Sequence, residues 1–195
     1  MVSLEAAVRD FAATVTRYFP DASFAATSPD LLAQLKSELP LSDELLYWYR
    51  TAAPVNVQMD WYSGDIFFPS PTILAREQLG YRWDGREPSL RLSNWKESWI
   101  VIANVDWDPV IAHVSVENTP VLMDFRGQGK WEPQVVAPSL AQFLTVMVTW
   151  LNVSVGRYGD KWHDMLEDSE LDRQLRSDFA DALSSFVGES NIRTL

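Results

Sequence analysis

The apolar positions along the chain change period twice. Leu4, Val8, Phe11, Val15 and Phe19 recur every three or four residues, the repeat of a helix that buries one stripe. Ser3 stands before the stripe as an N-cap, and Pro20 ends it. A small, polar stretch over 21–28 predicts a loop. Ser28-Pro29-Asp30 then opens a second helix with a capping hydroxyl, a proline at the first helical position and an acid at the positive end of the dipole. Leu31, Leu32, Leu35 and Leu39 form its apolar face, and Pro40 stops it. Ser42-Asp43-Glu44 starts a third helix, which carries Leu45, Leu46, Trp48, Tyr49 and Ala52 as far as Pro54.

From Val55 the period falls to two. Val55, Val57 and Met59 alternate with Asn56 and Gln58 as in a half-buried strand, and 65–68 predicts its partner across a turn near Ser63-Gly64. Residues 71–79 predict a short helix closed by Gly80, and 83–94 an irregular stretch with a turn at Asp84-Gly85. Short apolar runs follow over 99–103, 110–116, 121–125 and 131–136. Consecutive short strands with tight connections predict an antiparallel meander. Ser139 caps another helix, with Phe143, Leu144, Met147, Val148 and Leu151 on one face. Beyond 156–160, Leu171, Leu175, Phe179, Leu183 and Phe186 mark the last one, ended by Gly188. The expected fold is α+β: a central antiparallel sheet of five to six strands, with helices at both ends of the chain packed against it. The expected division is a domain over 1–155, with its core at 28–152, and an acidic helical extension over 156–195.

Composition narrows the chemistry. The 195 residues fit one domain with an appended element. There is no cysteine, which removes disulfides, zinc–thiolate and iron–sulfur centres and thiol nucleophiles. Twenty-seven acids against 16 Lys and Arg leave a net charge of −11. Direct nucleic-acid binding rests on phosphate neutralisation and is not expected; a basic protein is the better partner. Residues 160–190 carry nine acids and three bases, more than half of that charge. The first ten residues lack a basic segment and an unbroken apolar run. The longest apolar stretch, 143–155, is interrupted by Thr145, Thr149, Asn152 and Ser154. A soluble, cytoplasmic protein with no membrane partner is expected.

No catalytic constellation stands out. The two histidines are His113 and His163, and no Gly-x-Ser-x-Gly elbow accompanies them. His113 falls within a predicted strand as an ordinary surface or core residue. Asp106 and Asp108 flank Trp107, and alternate carboxylates suit a hard cation. The glycine and distal glutamate of a calcium loop are missing, however, and Asp108-Pro109 is a common turn starter. His163 and Glu167 share a helical face, but two ligands do not make a site. Arg126-Gly127-Gln128-Gly129-Lys130 lacks the spacing of a phosphate loop. No enzyme, cofactor or metal is expected.

Of the nine tryptophans, Trp48, Trp99 and Trp150 fall on apolar faces and read as core. Trp61, Trp83, Trp95 and Trp107 stand in turn-like segments beside acids. They either plug the open face of the sheet or form an acidic, aromatic recognition surface, where tryptophan buries much area at little rotamer cost. On the second reading the partner-binding residues are Trp61, Asp65, Trp83, Asp84, Trp95, Asp106, Trp107 and Asp108. Asp164, Glu167, Asp168, Glu170 and Asp172 form either a plain solvated helix face or a surface that steers a basic partner.

Three stretches resemble the SUKH superfamily (the Smi/Knr-like family), a group that includes a yeast cell-wall assembly regulator and many bacterial toxin-immunity proteins. Leu39-Pro40-Leu41-Ser42-Asp43-Glu44-Leu45-Leu46-Tyr47-Trp48-Tyr49 is similar to the family's opening helix. Asp65-Ile66-Phe67-Phe68-Pro69-Ser70-Pro71 is similar to its strand leading into a short helix. Trp99-Ile100-Val101-Ile102-Ala103 with Ala137-Pro138-Ser139-Leu140-Ala141-Gln142-Phe143-Leu144 is similar to its closing half. The chain departs at Ala53-Pro54, where the family often has Asn-Gly, and at 105–108, where it often has a Gly-rich turn. The resemblance implies a non-catalytic protein-binding domain, most concretely an immunity protein that neutralises a cognate basic toxin domain. A second reading is a regulatory module that binds a peptide, glycan or small ligand in a Trp-lined groove. A third is a hydrolase using Asp106 and Asp108.

Overall fold

In order along the chain the elements are α1 (Leu4–Tyr18), β1 (Ser23–Ala25), α2 (Pro29–Glu38), α3 (Asp43–Ala52), β2 (Ala53–Val55), β3 (Val57–Trp61), β4 (Gly64–Phe68), β5 (Trp99–Val105), β6 (Asp108–His113), β7 (Val121–Met123), β8 (Gln134–Ala137), α4 (Leu140–Val153) and α5 (Ser169–Ser184). The computed structural model describes residues 2–55, 57–61, 64–87, 89–162 and 169–184. The fold is α+β as expected, with a six-stranded antiparallel sheet, a two-stranded sheet and helices at both ends of the chain. The chain falls into two units, one of Ala22–Leu140 and one of Met1–Asp21 with Ala141–Leu195.

In the unit Ala22–Leu140, Ser28 and Ser42 cap α2 and α3 as their sequence positions predict. Each hydroxyl accepts from the backbone N–H three residues on, at 3.3 and 3.2 Å. The strand order is β3-β4-β5-β6-β7-β8, each neighbour antiparallel. β5 is buried at all seven positions, so both of its faces are covered. This is why it reads as an unbroken apolar run rather than an alternation. On one face Trp48 of α3 stacks on Tyr49, with ring centroids 5.5 Å apart, and meets Phe68 of β4 edge-on at 6.2 Å. On the other face the excursion between β4 and β5 lays Tyr81 and Trp95 over Trp99, Val101, Ile111 and Leu122, with Trp131 packed beside them.

β4 pairs with β5 at only two positions, Ile66 with Val105 and Phe67 with Asn104, before Pro69-Ser70-Pro71 turns the chain away. This side of β5 would be left open at Val101. Gln78 closes it: its side-chain oxygen accepts from Val101 N at 2.9 Å, and its amide nitrogen donates to Val101 O at 2.9 Å and to Leu74 O at 3.0 Å. The buried amide thus replaces a missing strand. The expected short helix over 71–79 is instead a series of turns with a 3-10 segment at Arg76–Gln78, which delivers this side chain. The expected loop over 21–28 contains β1, which pairs with β2.

In the other unit, Ser3 caps α1, accepting from Ala6 N at 3.2 Å, and Ala7, Val8, Phe11 and Val15 are its buried stripe. α4 runs into a π-helical turn, Ser154–Tyr158, where the Ser154 hydroxyl donates to Trp150 O at 2.8 Å. Gly156 lies against Tyr18, and a Cβ there would run into the tyrosine hydroxyl. α5 docks on this turn. Phe179 meets Trp150 edge-on at 5.3 Å, and Asp178 accepts from the Tyr158 hydroxyl, from Arg157 at 2.6 Å and from Gln174 at 3.0 Å. These donors hold the Asp178 carboxyl below its ordinary value, Tyr158 foremost.

Candidate functional site

An antiparallel meander puts alternate connections at the same end. The ends of β3 and β4 (Trp61 and Gly64), the β5–β6 turn (106–107) and the β7–β8 connection (124–133) therefore share one end of the six-stranded sheet. Five of the expected partner-binding residues gather there: Trp61, Asp65, Asp106, Trp107 and Asp108.

The β5–β6 turn is the unusual part. Val105 pairs with Asp108, so the connection has only two residues, and both have positive φ, +49° at Asp106 and +75° at Trp107. That is the pattern of a type I′ turn, whose second position is ordinarily glycine. Here it holds a tryptophan that is 68% exposed. A bulky L-residue in the left-handed region costs about 1–2 kcal/mol. An exposed ring recovers little of that by packing.

The surroundings hold the turn in this form. Asp106 N donates to Asp65 O at 3.2 Å, and Asp65 N donates back to the Asp106 carboxylate at 3.4 Å. Gly64, at φ +140°, lets that carboxylate lie directly on the backbone, where a Cβ would collide with it. Beneath the turn the Tyr81 hydroxyl donates to Trp107 O at 2.6 Å, with Asn104 Oδ1 3.3 Å away. Burial pushes the Tyr81 phenol up to about 12, so it keeps its proton and stays a donor. Asp108 accepts from Arg126 N at 2.7 Å. Asp124 ties the neighbouring connection, accepting from Phe125 N at 2.8 Å and Glu132 N at 2.6 Å.

Phe125 is a second aromatic at this end, 62% exposed, and the sequence pattern had assigned it to a strand. Its signal was its position, the last apolar residue before Arg126-Gly127. Tyr81 carries no local signal, because its part depends on a carbonyl 26 residues on, and Asp124 ties its connection through backbone N–H groups that residue order does not show. Trp61 and Asp108 are half-buried, and Asp65 and Asp106 are exposed. Gln58 donates to the Asp65 carboxylate at 2.7 Å.

The remaining expectations fare differently. Trp95 is corrected: it is 4% exposed, because its indole N–H donates to Trp99 O at 3.0 Å and its ring lies within 5.5 Å of Tyr81, Trp99 and Trp131. It plugs the sheet face and is not available to a partner. Trp83 and Asp84 belong to the excursion between β4 and β5. Trp83 is half-buried with the Arg82 guanidinium 5.7 Å from its ring centroid. The Asp84 carboxylate accepts from Arg86 N and Glu87 N at 2.7 and 2.9 Å, bonds that draw its pKa down. Among the steering acids, Asp164, Glu167 and Asp168 lie outside the described residues, as does His163. Glu170 is exposed, and Asp172 pairs with Arg176 one helical turn on at 2.9 Å.

His113 is half-buried, 3.4 Å from the Ser115 hydroxyl. Burial, and to a smaller degree Lys96, lower its pKa. Among the described residues no three His, Asp or Glu side chains are grouped to hold a metal ion, and no helix is long and apolar enough to cross a membrane. No protein-family model matches the chain, and no curated protein is significantly similar to it.

Proposed function

We propose that the chain is a non-catalytic protein-binding domain of the SUKH type. In its most concrete form it is an immunity protein that docks its hairpin end on a basic toxin domain. The observation that supports this is Trp107: an exposed tryptophan kept in a costly backbone conformation by Tyr81, Asp65 and Asp106. Strain maintained by neighbours, with little packing return among the described residues, fits a residue whose return comes on binding. Phe125 is a second exposed aromatic at the same end, and the net charge of −11 suits a cationic partner.

The same details weigh against the other readings. The Trp-lined groove loses a wall with Trp95 in the core. Asp106 and Asp108 accept backbone N–H bonds as turn residues, a role that accounts for both carboxylates without turnover. The test is a parallel capture from the native source with the wild-type chain and with Trp107→Ser, at low and high salt. The proposal expects a basic protein that the wild type retains at low salt, that salt releases and that the variant fails to hold. No basic protein on the wild type, or equal recovery on the variant, overturns it.

A further inference from the structure

The unit of Met1–Asp21 with Ala141–Leu195 contains a cavity of about 550 Å³ between α1, α4, the π-helical turn and α5. That volume suits a small organic molecule, and the lining has the mixture such sites use. Val148, Val153 and Ala182 give it an apolar wall, while Asp10, Asp178 and Asp181 set three carboxylates against one guanidinium, Arg157. Arg157 and Asp178 already face each other at 2.6 Å, and Asp178 has two further donors. Among the described residues Asp10 meets only the exposed Arg9, at 2.9 Å. Asp181 is exposed and its carboxylate has no partner among the described residues. Asn152 accepts from the Tyr18 hydroxyl at 3.0 Å, which leaves its amide N–H groups available.

This lining selects against most ligand classes. An anion would meet the partnerless Asp181 carboxylate, with Asp10 offset by the exposed Arg9 alone. A hydrated inorganic cation gains nothing from the valine wall. A neutral apolar molecule would strip water from the carboxylates without replacing it. A cation with an aliphatic stem satisfies both walls. We propose that the cavity binds a linear polyamine, its methylene spacer on Val148, Val153 and Ala182 and its ammonium ends on Asp181 and Asp10. The inference does not depend on the partner surface proposed above.

Titration calorimetry of the full chain with spermidine in 0.15 M salt, with magnesium as the charge control, tests it. The expected result is one saturable site per chain that magnesium at equal charge does not displace. Asp181→Asn and Ala182→Leu should each weaken it about tenfold or more, with unchanged far-ultraviolet dichroism. Asp181 is exposed and its replacement isosteric, so that variant keeps the fold if the bulkier leucine does not. Heats without saturation, displacement by magnesium, or undiminished affinity in Asp181→Asn would each overturn the proposal.

Discussion

At Trp107 stability and the proposed partner contact pull in opposite directions. The side chain is largely in solvent and its φ of +75° suits glycine or asparagine, so Trp107→Asn removes strain while losing little burial. For this variant we expect unchanged or higher stability, by up to about 1 kcal/mol, together with loss of partner binding. Thermal melts and a binding assay on the same preparation check both halves. A variant that binds as well as the wild type contradicts the role given to the ring. Gly64 sets the opposite case. Gly64→Ala places a Cβ on the Asp106 carboxylate at a φ that L-residues avoid. It should cost about 1–3 kcal/mol in urea denaturation, and Asp106→Ala in the same chain should recover part of that. His113 adds a pH dependence. Its folded-state pKa lies below the ordinary 6.5, so the unfolded chain holds the proton more tightly. The contribution to stability is present above that value and is lost as the pH falls through the lowered one. The denaturation midpoint should fall between about pH 7 and pH 5, and His113→Gln should flatten that fall; an unchanged slope would contradict the assignment.

Among the elements, the seam between β4 and β5 depends on one side chain. Gln78→Leu keeps the volume but leaves Val101 N and Val101 O buried without partners. The expected loss is about 2–5 kcal/mol by denaturant titration, well above an ordinary surface change. α5 depends on Asp178, and Asp178→Ala should speed hydrogen exchange of the 169–184 amides while leaving β5 protected. Equal protection in the variant would mean that the apolar face of α5, Leu175, Phe179 and Leu183, holds the helix without it. These dependencies also explain what could be read from residue order. Helix stripes and their Ser caps are local, so α1, α2 and α3 emerge within a residue or two. The meander emerges from spacing alone. β1 does not, since three residues carry too little period and its partner lies 30 residues on. Residue order puts Trp95 in a turn-like segment beside acids, whereas its burial is decided by the path of the excursion across the sheet. Trp107 was placed in a loop correctly, but nothing local announces a type I′ turn without glycine or asparagine. Tyr81 and Asp65, distant in sequence, impose it.

For the whole molecule, the proposed function assigns the arrival of a partner to charge and its residence to the hairpin end. On that proposal a net −11 attracts a basic partner over about a Debye length, roughly 10 Å at 0.1 M salt. Association should therefore slow steeply with ionic strength. Trp107→Ser should act mainly on dissociation, a division that stopped-flow mixing resolves. The central claim is that Trp107 touches a basic protein. A photo-crosslinking amino acid installed at position 107 and irradiated in the source cells tests that contact most directly, with mass spectrometry of the adduct. The account predicts one dominant adduct to a protein domain rich in lysine and arginine, weakened when Asp106→Asn and Asp108→Asn are added. Adducts to no protein, or to an acidic one, would contradict it.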